Sequence, residues 1–301
     1  MSTGILLESG TNELEILEFT VGNNHYGINV AKVKEILPYK VPTPVPNAHP
    51  AIEGIFMPRE EIISIVDLGV CLNMPKVNDN ATDMYIITNF NKLNVAFHVH
   101  SVVGIHRVSW EAIVKPDDTV NSQGNGIATG IIKIGEKLII LLDFEKIVAN
   151  ISPETGLKVS DIDHLKGRAR NELPILIAED SPLLSKLITE CLHKAGYSNI
   201  TSTSNGKEAW DKMQSYKEAE NLYSEIACLI TDLEMPQMDG HRLTKLVKDD
   251  PILHNVPVVI FSSLISDDMR RKGEALGADA QLSKPEIGEL VETIDKILGS
   301  K

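Results

Sequence analysis

A chain of 301 residues is too long for one typical core and comfortable for two domains. Hydrophobic content of 43% and charged content of 24% are ordinary for a soluble globular protein, and a net charge of −13 argues against a binder of duplex nucleic acid, whose affinity comes from Lys and Arg neutralising phosphates. Cys71, Cys191 and Cys228 share no close spacing, so they read as neither a disulfide framework nor a zinc site, which fits a reduced, cytosolic setting. Met1 to Gly10 has no basic flank, and no stretch approaches the ~20 apolar residues of a membrane helix. No direct membrane insertion is therefore expected, and any membrane association must come through a partner.

The first half reads as strands. Ile16 to Val21 and Tyr26 to Val30 flank the turn candidate Gly22-Asn23-Asn24. Further β-rich runs are Ile62 to Val66, Met84 to Thr88, Val95 to Val103, Gly130 to Ile134 and Leu138 to Leu142. A helix is expected near Val30 to Leu37 and another from Phe144 to Ala149. Pro42, Pro44, Pro46 and Pro50 keep Val41 to Pro50 extended and irregular. Many short strands between Gly, Pro and Asn turns predict an all-β barrel or sandwich over residues 12–150. Residues 151–172 are polar and read as a linker with one short helix, Ser160 to Leu165.

The second half, residues 173–300, alternates strand and helix. Pro174 to Ala178 is a continuous apolar run, as a strand buried on both faces requires. Helix Ser181 to Ala195 stops at Gly196; strand Asn199 to Ser202 and helix Gly206 to about Leu222 follow. Then come strand Ala227 to Ile230, helix Arg242 to Lys248, strand Val258 to Phe261, helix Ser266 to Leu276, strand Ala280 to Leu282 and helix Glu286 to Leu298. The alternation predicts an α/β domain with a doubly wound, five-stranded parallel sheet of flavodoxin-like type.

Ligands of such sheets bind beyond the carboxyl ends of the strands. Glu179 and Asp180 follow the first strand, Asp232 the third, Ser262 the fourth and Lys284 the fifth. Taken singly, each could be a cap or a solvated loop residue; together, on the right strand ends, they converge. Carboxylates crowded at one site repel and call for a hard cation, and all-oxygen coordination suits Mg²⁺. Asp232 is the central carboxylate and the candidate nucleophile for a phosphoryl group. Lys284 would pair with one phosphoryl oxygen and Ser262 would donate to another.

These residues, with the run Asp232-Leu233-Glu234-Met235-Pro236-Gln237-Met238-Asp239-Gly240 and the pair Lys284-Pro285, resemble the receiver domain of two-component response regulators. The resemblance implies Asp232 as phosphoacceptor, with Ser262 and Lys284 as the switch pair. It implies Mg²⁺ held by Asp180 and Asp232 side chains, by the Glu234 carbonyl, and by Glu179 through water. Gln281 stands where many receivers carry a switch aromatic and Glu286 where a Phe is common, so the output face is expected to work differently.

The first half resembles the CheW adaptor of bacterial chemotaxis. Phe19-Thr20-Val21 with Tyr26-Gly27-Ile28, Val33 to Ile36, Gly54-Ile55 with Arg59, Ile65 to Leu68 and Leu141 to Lys146 carry the likeness. It implies paired small β-barrels that bridge chemoreceptor cytoplasmic tips and the histidine kinase CheA, with Arg59 as a receptor contact. Glu60 replaces the family's Gly beside it. An adaptor followed by a receiver is the arrangement of CheV-type coupling proteins. That arrangement implies a cytoplasmic adaptor associated with receptor arrays through its partners and tuned by phosphorylation of Asp232. A phosphate sink that drains the kinase uses the same site and is the alternative. A phosphohydrolase would need a second acid and a substrate cap, neither apparent, so no enzyme activity beyond self-phosphorylation and self-dephosphorylation is expected. Asp67 and Asp143 read as turn or cap residues before partner contacts. His98 and His100 would share one strand face, but without a third ligand nearby they read as structural. Trp110 reads as core.

Overall fold

The structure, a computed structural model, describes residues 12–74, 82–90, 93–116, 126–152, 169–264, 267–284 and 286–299. The described chain forms two compact units divided at Thr155. The expected linker helix Ser160 to Leu165, and Pro285, lie outside the described residues.

The N-terminal unit begins with β1 (Glu13–Val21) and β2 (Asn24–Asn29), then a 3-10 turn at Val30–Lys32 and β3 (Val33–Pro38). It continues with β4 (Ile52–Phe56), β5 (Ile63–Asp67), α1 (Leu68–Cys71), β6 (Met84–Phe90), β7 (Leu93–Val99) and β8 (Ser101–Ser109). A 3-10 turn at Trp110–Ala112, β9 (Ala128–Ile134), β10 (Lys137–Leu142) and α2 (Phe144–Ile151) complete it. Two five-stranded sheets result, ordered β8-β1-β2-β10-β9 and β3-β6-β7-β5-β4. Each contains a parallel neighbour pair, β2 with β10 and β5 with β7.

The sheets bury both faces. Along β1, Leu14 and Ile16 pack with Trp110, Ile113, Ile132 and Leu141 in a core of the first sheet. Leu17, Phe19 and Val21 on the opposite face join a second core with Val66, Ile86, Phe97 and the α2 residues Phe144, Ile147 and Val148. The second sheet has its own inner core, Ile63, Ile65, Tyr85, Ile87 and Ala96. Each sheet thus covers its own core, and a shared core joins them. Side chains alternating across a strand place neighbours in different cores.

Three expectations for this unit need correction. Val30 to Leu37 is a 3-10 turn followed by β3, because pairing with β6 overrides the local helical pattern. The run Val95 to Val103 breaks at His100 into β7 and β8, which belong to different sheets. β4 has no counterpart in the sequence reading. Asp67 and Asp143 cap α1 and α2 by accepting from Val70 N (3.1 Å) and Lys146 N (2.9 Å). Trp110 is buried.

The C-terminal unit runs β11 (Ile175–Ala178), α3 (Pro182–Lys194), β12 (Ile200–Thr203), α4 (Gly206–Tyr216), α5 (Leu222–Glu225) and β13 (Cys228–Thr231). It ends with α6 (Gly240–Asp249), β14 (Val258–Ser262), α7 (Asp267–Ala275), β15 (Ala280–Ser283) and α8 (Ile287–Gly299). The sheet order β12-β11-β13-β14-β15, all parallel, is the doubly wound pattern expected. Ile175 and Ile177 face one helical layer, Leu176 and Ala178 the other, which explains the unbroken apolar run. The helix expected to reach Leu222 stops at Tyr216. No helix among the described residues is long and apolar enough to cross a membrane.

Candidate functional site

The chain reverses its winding direction between β11 and β13, whose carboxyl ends open a crevice. β11 delivers Glu179 and Asp180 to it, and β13 delivers Asp232. Their carboxylate oxygens lie within 4.8 Å of one another. Lys284, just after β15, is buried and donates to Asp232 Oδ2 at 2.7 Å and to Glu179 Oε1 at 3.4 Å. Asp232 Oδ1 accepts from Leu233 N at 2.6 Å, which leaves the carboxylate held between a backbone amide and the ammonium.

The electrostatics are unbalanced. Burial pushes the Glu179 carboxyl well above its ordinary range; Lys284 opposes this, while Asp232 and Asp180 reinforce it. Glu179 Oε2 is buried and, although 3.1 Å from Lys284 Nζ, lacks an aligned hydrogen bond. One lysine beside three carboxylates leaves a deficit of positive charge. A hard divalent cation fits that donor set: all oxygens, closely spaced, one of them without an aligned donor.

The remaining expected residues have surroundings of their own. Ser262 ends β14, the strand beside β13; it is fully buried and its hydroxyl accepts from Leu264 N at 3.3 Å. Glu234 is half-buried in the loop after β13. Arg59 belongs to the N-terminal unit, where its exposed guanidinium donates to Glu35 Oε2 at 3.0 Å.

The loop from Asp232 to α6 is closed by glycine. A side chain at Gly240 would collide with the Asp232 carbonyl, while Gly240 N donates to Leu233 O at 3.0 Å. Asp239 then caps α6 by accepting from Arg242 N at 2.6 Å. The Asp-Gly pair that ends the motif is therefore a folding device that fixes the phosphoacceptor candidate's backbone. Gln281 is buried and donates to Arg270 O in α7 at 2.7 Å, and its Oε1 meets no partner. Gly273 is the residue that leaves room for this amide. Glu286 Oε2 accepts from Ser283 N at 3.4 Å.

Sequence reasoning did not anticipate one cluster, in the N-terminal unit. His98 Nδ1 lies 3.0 Å from Glu53 Oε2 and its Nε2 2.9 Å from Asp83 Oδ2. The three residues sit far apart in the chain, so no spacing signals them. His98 is thus engaged by two carboxylates and not by a shared ligand with His100, whose Nδ1 accepts from Gly22 N at 2.7 Å.

Comparison with known proteins agrees with this division. Residues 15–152 match the CheW-like domain and residues 175–295 the response regulator receiver domain. Chemotaxis protein CheV3 of Helicobacter pylori is 30% identical over 300 residues, covering 95% of each chain. CheV2 of the same organism is 28% identical, covering 91% of this chain and 90% of its own. Among solved structures, the scaffolding protein TtCheW of Thermoanaerobacter tengcongensis aligns with 44% of this chain and 84% of its own, at 23% identity and a TM-score of 0.41.

Proposed function

The chain belongs to the CheV family of chemotaxis proteins, coupling adaptors that join a CheW-like domain to a receiver, and we propose that phosphorylation of Asp232 tunes its coupling of chemoreceptors to the kinase CheA. The observation that carries this reading is the buried contact of Lys284 with Asp232 and Glu179 beside Asp180. That arrangement holds a nucleophilic carboxylate against a cation that can follow charge onto a phosphoryl group.

In the transfer, an Asp232 carboxylate oxygen attacks the phosphorus of a phosphohistidine on the kinase. The new P–O bond forms an acyl phosphate as the N–P bond breaks. The departing imidazole nitrogen keeps the electron pair and later takes a proton. Lys284, now on Asp232 Oδ2, shifts to a phosphoryl oxygen. Ser262, whose hydroxyl accepts from Leu264 N, turns to donate to another. Asp180 and Asp232 side chains, the Glu234 carbonyl and Glu179 would hold Mg²⁺, which supplies charge neutralisation for the transferred group. The receiver acts as a stoichiometric acceptor with slow self-dephosphorylation and turns over no small substrate.

The N-terminal unit meets the receptor tips and CheA, with Arg59 at the receptor side, and the protein reaches the membrane array only through them. The test is reconstitution of receptor tips and CheA with this protein as sole adaptor, with and without a small-molecule phosphodonor. Receptor-controlled kinase activity that changes with phosphodonor, and no longer changes in Asp232→Ala, is the expected result. A response to phosphodonor that persists in Asp232→Ala overturns the tuning. Absence of receptor control, with phosphoryl transfer to Asp232 intact, makes the protein a phosphate sink.

A further inference from the structure

His98 is placed so that only one protonation state satisfies it. Its two ring nitrogens each face a carboxylate oxygen, Glu53 Oε2 at 3.0 Å and Asp83 Oδ2 at 2.9 Å. A neutral imidazole carries one N–H, so one nitrogen would present a lone pair to a carboxylate. The imidazolium donates to both. Asp83 sharpens the requirement: its side chain is 1% exposed, its Oδ1 meets no partner, and His98 is the donor to its Oδ2. Without the proton on His98, a buried carboxylate loses its counter-charge.

The geometry also shows what the cation holds. In the order β3-β6-β7-β5-β4, His98 lies on β7 and Glu53 on the edge strand β4, with β5 between them. The β4–β5 register shifts between Ile52 and Gly54, so Glu53 sits at an irregularity where backbone pairing is interrupted. The side chain supplies the tie that the ladder lacks there. Tyr39, following β3, leans on the His98 ring with centroids 4.9 Å apart and donates to Glu53 Oε1 at 3.5 Å.

We infer that His98 is a proton-operated latch: as imidazolium it ties Glu53 and the edge strand β4 across β5 to Asp83, and loss of one proton releases Glu53 and loosens β4. The buried partner Asp83 keeps the remaining N–H, and the more exposed Glu53 is the one set free. No covalent step is involved; the proton goes to water.

The surrounding groups favour the charged state. Burial opposes it, but hydrogen bonds and fields from Glu53 and Asp83 win, and His98 titrates above its ordinary value. Tyr85 on β6 meets the ring edge-on at 5.6 Å. Asp67 on β5 is its register neighbour, with its carboxylate engaged in capping α1. The His100 ring lies 6.4 Å away, and its Nδ1 already accepts from Gly22 N. The other histidine cluster of this unit is built differently. Glu18 meets His25 at 2.6 Å and His106 at 2.5 Å, with Lys137 at 3.7 Å. There one carboxylate faces two rings, and each ring meets it through a single nitrogen, so that contact does not call for a second N–H.

The experiment is an NMR titration of the full chain between about pH 5.5 and about pH 9, spanning the ordinary histidine value. It reads the His98 ring and the exchange protection of the Ile55 amide, which donates to Thr43 O at 2.9 Å on the outer side of β4. Protection factors corrected for intrinsic exchange are expected to fall about tenfold or more as His98 deprotonates, the scale of a lost hydrogen bond to a charged group. In Glu53→Gln, an amide can match either state of Nδ1, so His98 titrates lower and Ile55 protection no longer follows pH. His98→Gln, if folded, shows low protection at every pH. A His98 ring that titrates below the ordinary histidine value, or Ile55 protection unchanged across its titration, overturns the latch.

Discussion

Replacing Lys284 with Met tests whether the receiver site is held by charge. Lys284 Nζ and the Asp232 carboxylate are each 6% exposed and 2.7 Å apart, so removing the ammonium strands a buried anion. Glu179 is already pushed toward its protonated form by burial, so the stranded charge is chiefly that of Asp232. Breaking a buried pair from one side costs about 3–5 kcal/mol. There is an upper limit, because a stranded carboxyl can take up a proton. For an ordinary aspartate that costs about 4 kcal/mol at pH 7 and about 1.5 kcal/mol at pH 5, at 1.36 kcal/mol per unit. The predicted loss is therefore about 3–4 kcal/mol at pH 7 without divalent cation, shrinking as pH falls. Added Mg²⁺ should recover part of it by supplying the missing charge. Urea unfolding followed through Trp210 on α4, in a Trp110→Phe background, reads the receiver alone within the full chain. A loss below about 0.5 kcal/mol at pH 7, or one that does not change between pH 7 and pH 5, refutes the reasoning.

Two further outcomes follow from burial. Burial lowers the His241 pKa to about 3, its Nε2 is buried without a partner, and Lys272 adds to the shift. Its folded pKa lies below the unfolded one, so its stabilising contribution is complete above about pH 6.5 and is lost as pH falls toward 3. The receiver should lose about 2 kcal/mol from this group between pH 7 and pH 5, read by the Trp210 urea midpoint, and His241→Phe should flatten that slope. Phe144 is fully buried against Phe97 and Phe19, with ring centroids 4.7 and 6.1 Å away. Phe144→Ala should cost the N-terminal unit about 3–5 kcal/mol, measured through Trp110 in a Trp210→Phe background. A cost below about 1 kcal/mol would mean the shared core is not what joins the two sheets.

The receiver was legible because its chemistry and its folding share one signal. Parallel strands buried on both faces are short apolar runs, and the residues just past them, Glu179, Asp180, Asp232 and Lys284, are the ones that meet. The adaptor half was less so. β3 carries Lys34, Glu35, Ile36 and Leu37 in an order that fits a helix equally well, and pairing with β6 decides the matter. β4 follows a proline-rich stretch and contains Gly54 at φ 156°, so neither strand propensity nor length announced it. His98 was visible as a residue and invisible as a cluster, since Glu53 on β4 and Asp83, just before β6, approach it from distant parts of the chain.

The two-faced strands of the adaptor half carry a consequence for its evolution as a docking module. Segments such as β5, β6 and β7 send their apolar side chains alternately into different cores, so most of their positions answer to one hydrophobic neighbourhood or another. A change of partner cannot be written there without unmaking the fold. The vocabulary left for recognition is the margins: the connection between β4 and β5 with exposed Met57, Arg59 and Ile62, and the outward stripe of Val103, Ile105 and Arg107 on the edge strand β8. Related adaptors that serve different receptors should therefore diverge at these margins while the lettering of the inner strands stays nearly fixed.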